Sequence, residues 1–247
     1  MEELPESHPR YESLRQRHRI EAGVEAGLTS PQGLVAQGRG EAFDYLLGEQ
    51  TTPSADTAER VAAAHLLDAD DAVVSVNGNV AALVPDAVVE LADTTGAALE
   101  VNLFNRSRER IETIAEHLHE HGADEVKGLT ADARIPGLDH ERAKVDADGI
   151  YAADVVLVPL EDGDRAAALG EMGKTELVVD LNPLSRSAAV AAVPIVDNVV
   201  RALPNVTAHA RDLRETGADL EAVVAGFDPA ATRTAAEKRI RQESLDG

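Results

Sequence analysis

From about residue 70 onward, short β-branched runs alternate with helical stretches, and this alternation constrains the fold more than any other feature. The runs are 73–76 (VVSV), 99–104 (LEVNLF), 154–158 (DVVLV), 176–180 (ELVVD) and 193–196 (VPIV). Helical patterns fill 80–94, 106–121, 162–172 and 197–216. Short strands separated by helices can close into parallel βαβ units, with helices covering both faces of the sheet. The expectation is an α/β fold: a Rossmann-like, doubly wound, mainly parallel sheet, with 125–128 (EVKG) as one further strand.

The first 70 residues show amphipathic helices near 10–27, 31–36, 40–48 and 54–68 and no strand pattern. They read as an N-terminal helical arm or cap (1–70) on a nucleotide-binding core (71–216). A polar tail (217–247), helical near 229–243 and dispensable in this reading, completes the chain. The stretch 130–150 has no period over its first half, and a loop of that length inside a domain is usually functional.

Charge excludes several classes. The 247 residues carry 45 Asp and Glu against 23 Lys and Arg, a formal net charge of −22. A phosphate backbone needs a basic footprint, so nucleic acid is not expected as a partner. No apolar run approaches a membrane span and no apolar leader opens the chain, so a cytoplasmic protein is expected. The absence of cysteine excludes disulfides, thiolate metal sites and a cysteine nucleophile. Residues 41–100 hold twelve acids and one base, Arg60. That bias reads as salt adaptation, of the kind seen in a halophilic archaeon, because at about 1 M salt the Debye length shrinks to ~3 Å; an acidic interaction surface is the alternative.

Two tempting motifs fail. Gly170-Glu171-Met172-Gly173-Lys174-Thr175 ends a helix and precedes a strand, the reverse of a phosphate-binding P-loop, so Gly173 reads as a helix C-cap. Gly38-Arg39-Gly40 lacks both the third glycine and the preceding strand of a dinucleotide fingerprint. More informative is Asp180-Leu181-Asn182-Pro183-Leu184-Ser185-Arg186-Ser187, which leaves a strand at the carboxyl edge where α/β sheets bind ligands. Asp197 and Asn198 join the same rim. Asn77-Gly78-Asn79 follows another strand and reads either as an anion-facing turn or as a plain turn with Asn79 as N-cap.

Cations are few enough to be conspicuous. Arg10, Arg17 and Arg39 read as a bidentate phosphate clamp, or else as surface arginines paired with nearby glutamates. His140, Arg142 and Lys144 form a second cationic group on the long loop. Glu161-Asp162-Gly163-Asp164 offers oxygen ligands for Mg²⁺ at Asp162 and Asp164, or simply acids at a helix start. His117, His119 and His121 read as solvent-exposed.

SHPRYESLR (7–15), GRGEAFDYLLGE (38–49), VSVNGNVAALVP (74–85), VNLF (101–104), ARIPGLDHERAKVD (133–146), ADVVLVPLEDGDR (153–165), DLNPLSRSA (180–188) and IVDNVVRALP (195–204) together resemble the archaeal phosphopantothenate synthetase family. The resemblance runs from about residue 5 to 214. It implies a Rossmann-like homodimer that ligates 4-phosphopantoate to β-alanine with ATP, releasing AMP and pyrophosphate, in coenzyme A biosynthesis. It further implies ATP contacts at Arg17, Arg39, Asp180, Leu181, Asn182, Arg186, Ser187, Asn198 and Val199. An acyl-adenylate route needs no protein nucleophile, only positioning, charge stabilisation by Mg²⁺ and guanidinium groups, and a base for the amine. His140 and His8 are the candidate bases. Lys144, Arg10 and Arg142 are candidates for the substrate phosphate or for transition-state charge, and Asn77, Gly78 and Asn79 are grouped with the phosphate site. A nicotinamide oxidoreductase and a non-catalytic nucleotide sensor on the same fold are the rivals.

Overall fold

The computed structural model describes residues 5, 7, 8, 10–160 and 163–243. Three helices lead: α1 (Tyr11–Glu25), α2 (Pro31–Leu47) and α3 (Pro53–Asp68). Helix α2 runs unbroken where two short helices were expected: Gly38 is carried inside the helix, and Gly33 lies at a close approach. A Cβ on Gly33 would lie 2.2 Å from Thr29 Oγ1 and 2.3 Å from Asn79 Oδ1. Pro31 opens the helix with its φ already helical.

The alternating region follows as β1 (Ala72–Val76), α4 (Gly78–Leu83), α5 (Pro85–Thr95), β2 (Ala98–Val101) and α6 (Arg108–Glu120). The helix expected over 80–94 breaks at Val84 (φ −143°), because Pro85 disfavours helical backbone in the residue before it. Residues 125–128 make only one parallel bridge, Lys127 to Glu100, instead of a strand. The long loop carries a two-residue antiparallel ribbon, β3 (Ala133–Arg134) and β4 (Lys144–Val145), with a 3₁₀ turn at Glu141–Ala143. Then come β5 (Val155–Pro159), α7 (Gly163–Glu171), β6 (Thr175–Val179), α8 (Arg186–Val190), β7 (Val193–Ile195), α9 (Val199–Thr216), α10 (Leu220–Val224) and α11 (Pro229–Glu243).

Among the described residues the main sheet has five strands, all parallel, in the order β2-β1-β5-β6-β7. This is the doubly wound order whose direction of winding reverses between β1 and β5, and the crevice at that reversal is where such sheets bind ligands. Strand alternation sends Val74, Val76, Leu157, Leu177 and Ile195 into one apolar core with residues of α3, α5 and α9. On the opposite face Val73, Val156 and Val158 pack under Ile135, Leu138, Val145 and Ile150 of the long loop and Leu169 of α7. The loop thus serves as a covering layer. It is tied down by the fully buried Glu100 of β2, which accepts from the Asp146 amide (3.1 Å) and the Ile150 amide (2.6 Å). Burial first, despite those amides, pushes the Glu100 carboxyl up to about 7.

The C-terminal helix is part of the packed structure. Ala236 is buried with Leu47, Leu181 and Val196, and Ile240 packs on the same cluster. Removing α11 would uncover Leu181, one of the residues expected at the nucleotide.

Candidate active site

The carboxyl edge of the sheet carries two distinct constellations. Beyond β6 and β7, the Asp180–Ser187 loop is folded on its own side chains. Asp180 Oδ1 accepts from the Asn182 amide (2.9 Å), Asp180 Oδ2 from Ser187 Oγ (3.2 Å), and Asn182 Oδ1 from the Leu184 amide (3.0 Å). Ser185 caps α8 through the Ala188 amide. Arg186 is exposed and ion-paired with Asp164 at the start of α7.

Asn198 caps α9 at Val200 N (3.2 Å) and donates from Nδ2 to Asp44 Oδ2 (2.7 Å) and Gln16 Oε1 (3.0 Å). Its neighbour Val199 is buried as the first residue of α9. Arg201, one turn on, bridges Asp44 and Asp197. Burial works against its charge, but the two carboxylates raise its pKa above the ordinary guanidinium value. One buried ionic network therefore joins α1, α2 and α9 beneath the rim.

Helices α1 and α2 enclose a groove of about 960 Å³ lined by Arg10, Arg17 and Glu41. Arg17 holds Glu41 through Nε (2.7 Å) and Nη2 (2.6 Å), and Arg10 reaches the same carboxylate at 3.3 Å. The Arg17 hydrogen bond keeps the Glu41 carboxyl below its usual range, against burial. Arg39 is exposed and makes no hydrogen bond or ion pair among the described residues. The next residue, Gly40, faces Leu181 closely: a Cβ there would lie 3.4 Å from Leu181 Cδ1. The N-terminal arginines and the Asp180–Ser187 loop therefore border one region.

The second constellation occupies the β1/β5 reversal, a cavity of about 290 Å³. Its walls include Asn77, Asn79, Asn102, Phe104, Arg110 and Arg142. Arg142 is buried and oriented by Asn102, whose Oδ1 accepts from its Nε (3.1 Å) while Nδ2 donates to the Arg142 and Lys144 carbonyls (3.2 and 3.0 Å). Leu160, at the end of β5, lines the cavity with φ +58°, a left-handed conformation costly for a leucine. His140 stacks on Phe104 with ring centroids 5.7 Å apart, and its Nδ1 is buried without a hydrogen-bond partner among the described residues.

Several expected residues take other places. Asn77, not Asn79, is the N-cap of α4, accepting from the Asn79 and Val80 amides at 3.0 and 3.1 Å. Those amides are consequently not aimed at an anion. Asn79 ties α4 to the α1–α2 region through Thr29 Oγ1 (2.5 Å) and the Gly33 carbonyl (3.0 Å), and Gly78 is packed against the Leu28 carbonyl. Arg10 belongs with Glu41 in the helical groove and not with Arg142. Lys144 pairs with Glu141 at 2.8 Å and does not line the cavity. His8 accepts from the Arg10 amide (3.0 Å) at the start of α1.

Asp162 lies outside the described residues. Asp164 is ion-paired with Arg186. Among the described residues the one cluster of three metal-capable side chains is Asp56, Glu59 and His209, on α3 and α9. The sequence reading also missed Asn102, Phe104, Arg110, Gln16, Asp44 and Arg201. Their helical or strand spacing carries no signal, because only the tertiary fold supplies their partners.

A family model described as phosphopantothenate/pantothenate synthetase matches residues 54–243. A 4-phosphopantoate–β-alanine ligase of Methanosarcina mazei is 53% identical over 98% of this chain and 96% of its own length. The ligase of the same name from Thermococcus kodakarensis is 53% identical over 94% and 90%. That from Thermococcus onnurineus is 55% identical over 87% and 83%. This chain belongs to the phosphopantothenate/pantothenate synthetase family.

Proposed function

We propose that the chain is an ATP-dependent ligase that joins 4-phosphopantoate to β-alanine, releasing 4'-phosphopantothenate, AMP and pyrophosphate, in coenzyme A biosynthesis. The observation that carries this reading is near-full-length identity above one half to ligases of that name. Two separate cation-bearing sites on one sheet edge support it. They lie about two strand spacings apart, ~10 Å, which suits a substrate with a phosphate at one end and a carboxylate at the other.

ATP binds at the rim in this account, with Asp180, Leu181, Asn182, Ser187, Asn198 and Val199 forming its floor. Arg17, Arg39 and Arg186 face its phosphates. Arg17 and Arg186 leave Glu41 and Asp164 to do so, exchanging carboxylate for phosphate oxygens. The phosphate of 4-phosphopantoate sits at Arg142 in the β1/β5 crevice, which points the substrate carboxylate along the sheet edge toward the rim. That carboxylate attacks the α-phosphorus, pyrophosphate departs, and the β-alanine amine then displaces AMP from the acyl carbon. The main work of the chain is to hold the reactants in line and to meet the charge developing on pyrophosphate. The attacking amine must shed a proton, and His140, packed on Phe104, is the imidazole this reading assigns to take it.

No step is routed through a protein-held magnesium ion. The nicotinamide alternative is disfavoured by the α4 cap: Asn77 occupies amides that a dinucleotide pyrophosphate would need. Exposed Val35 and Tyr45 on α2, 75% and 72% accessible, support a homodimer packed through that helix. Among the described residues no helix is long and apolar enough to cross a membrane. The test is pyrophosphate release with ATP, 4-phosphopantoate and β-alanine, each omitted in turn. Release of AMP and pyrophosphate that needs ATP and 4-phosphopantoate, with amide formed only when β-alanine is added, supports the reading. Pyrophosphate formed without the phosphorylated acid would refute it.

A further inference from the structure

The crevice contains a cation that neither the sequence pattern nor the proposed mechanism uses. Arg110 lies in the first turn of α6, and its side chain turns back toward the start of the helix, as helical side chains do. Nη1 donates to the Asn105 carbonyl (2.8 Å) and Nη2 to the Leu28 carbonyl (3.2 Å). Nε is buried and has no partner among the described residues.

Those two carbonyls fix the plane of the guanidinium without neutralising it. Burial lowers its pKa, and among the described residues no nearby carboxylate opposes that effect. This contrasts with Arg17, Arg60, Arg108, Arg186, Arg201 and Arg211, each of which has a carboxylate within 3 Å. In a chain with 45 acids and 23 bases, a half-buried arginine without an acid is not explained by a shortage of partners. A desolvated charge without a counterion is costly, so the site is complete only when an anion supplies the missing charge.

We propose that Arg110 is a second phosphate-binding residue for 4-phosphopantoate, facing Arg142 across the β1/β5 crevice. The two arginines reach the crevice from independent elements, α6 and the 3₁₀ turn, Arg142 oriented by Asn102 and Arg110 by two main-chain carbonyls. Together they offer a dianionic phosphate two guanidinium groups, and they select the phosphorylated acid over pantoate. This rests on the ligase reading but can fail separately from it.

The experiment is calorimetric titration of wild type, Arg110→Gln and Arg110→Lys with 4-phosphopantoate, pantoate and ATP, alongside melting temperatures. The expected result for Arg110→Gln is a loss of about 10- to 100-fold in 4-phosphopantoate affinity, the worth of one charge-assisted contact. ATP and pantoate binding should change by less than about twofold, within one weak contact. Arg110→Lys keeps the charge but not the fork, and should fall between the two. If the Gln variant does not fold, Arg110→Lys decides: weakened 4-phosphopantoate binding at an unchanged melting temperature supports the proposal. Wild-type 4-phosphopantoate affinity in either folded variant overturns it, as does an equal loss for all three ligands, which would make Arg110 a staple between α6 and Leu28. Failure of the wild-type protein to make AMP and pyrophosphate would instead undo the ligase reading.

Discussion

The rim beyond β6 and β7 and the crevice at the β1/β5 reversal both present arginines to anionic ligands, but they keep them in different states. At the rim Arg17 and Arg186 are exposed and already ion-paired, with Glu41 and Asp164. In the crevice Arg142 is buried and set by Asn102, while Arg110 is held by main-chain carbonyls. In the proposed reading, rim arginines exchange one acceptor for another when a nucleotide arrives. Crevice arginines are fixed in advance and pay their desolvation at folding. In the proposed reading the rim therefore takes a ligand that brings several phosphates and abundant binding energy. The crevice is built to discriminate, since a preorganised cation gains most from the ligand that carries the matching charge.

The sharpest way to break this contrast is Arg142→Ala. It removes a buried cation and strands the Asn102 amide oxygen, so kcat/KM for 4-phosphopantoate should fall about 100-fold or more, with ATP affinity little changed. Steady-state kinetics with each substrate varied would check it. Next in size is Asn198→Ala, which unhooks Gln16 and Asp44 and uncaps α9. A cost of about 1–3 kcal/mol should appear in both ATP affinity and thermal stability, because this residue supports rim and fold together.

Glu59 separates the rim's scaffold from its ligand contacts. Burial, then the neighbouring Asp197 carboxylate, push the Glu59 carboxyl from 4.5 up to about 8. The folded state holds this proton where the unfolded chain has released it. Its contribution to stability is thus complete below about pH 4.5, declines as pH rises, and is lost above about 8. Glu59→Gln should flatten the fall in melting temperature between about pH 4.5 and about pH 8, which a pH series of thermal melts would reveal.

Smaller effects belong to the exposed pairs. Asp164→Asn frees Arg186 and should tighten ATP by no more than about fivefold, the range of a surface ion pair. Raising KCl from about 0.1 to about 2 M should act the same way on Arg17 and Arg186 and also relieve repulsion among the surface acids. Equilibrium ATP titrations should therefore show affinity rising with salt. A steady fall would mean that phosphate screening dominates and that the acidity is not an adaptation to salt.

How much of this was legible in the sequence depended on whether a signal was local. The five strands stood out because each is a compact β-branched run bounded by helix-forming stretches. The Asp180–Ser187 loop and Asn198 stood out because Asp, Asn, Ser and Arg cluster where strands end. Pro85 carried the break between α4 and α5, yet the apolar period running across it hid the break. Gly33 and Gly40 of α2 meet Asn79 and Leu181, which are remote in sequence and therefore invisible to a local pattern. Arg110 and Asp44 look like ordinary helix-surface charges until α6 and α2 are placed against their neighbours. Lys144 drew notice through the scarcity of lysine, but its ammonium is engaged by Glu141 three residues away.

The central claim is that one edge of the sheet holds two anion sites, with the crevice reading the phosphate of the acid substrate while ATP occupies the rim. The most direct measurement is pyrophosphate release from ATP by the wild-type protein with β-alanine and either 4-phosphopantoate or unphosphorylated pantoate. Two preorganised charge-assisted contacts predict a kcat/KM for pantoate lower by about 100-fold or more, with an unchanged KM for ATP. Similar kcat/KM for the two acids would contradict the account, because the β1/β5 crevice would then not be reading a phosphate.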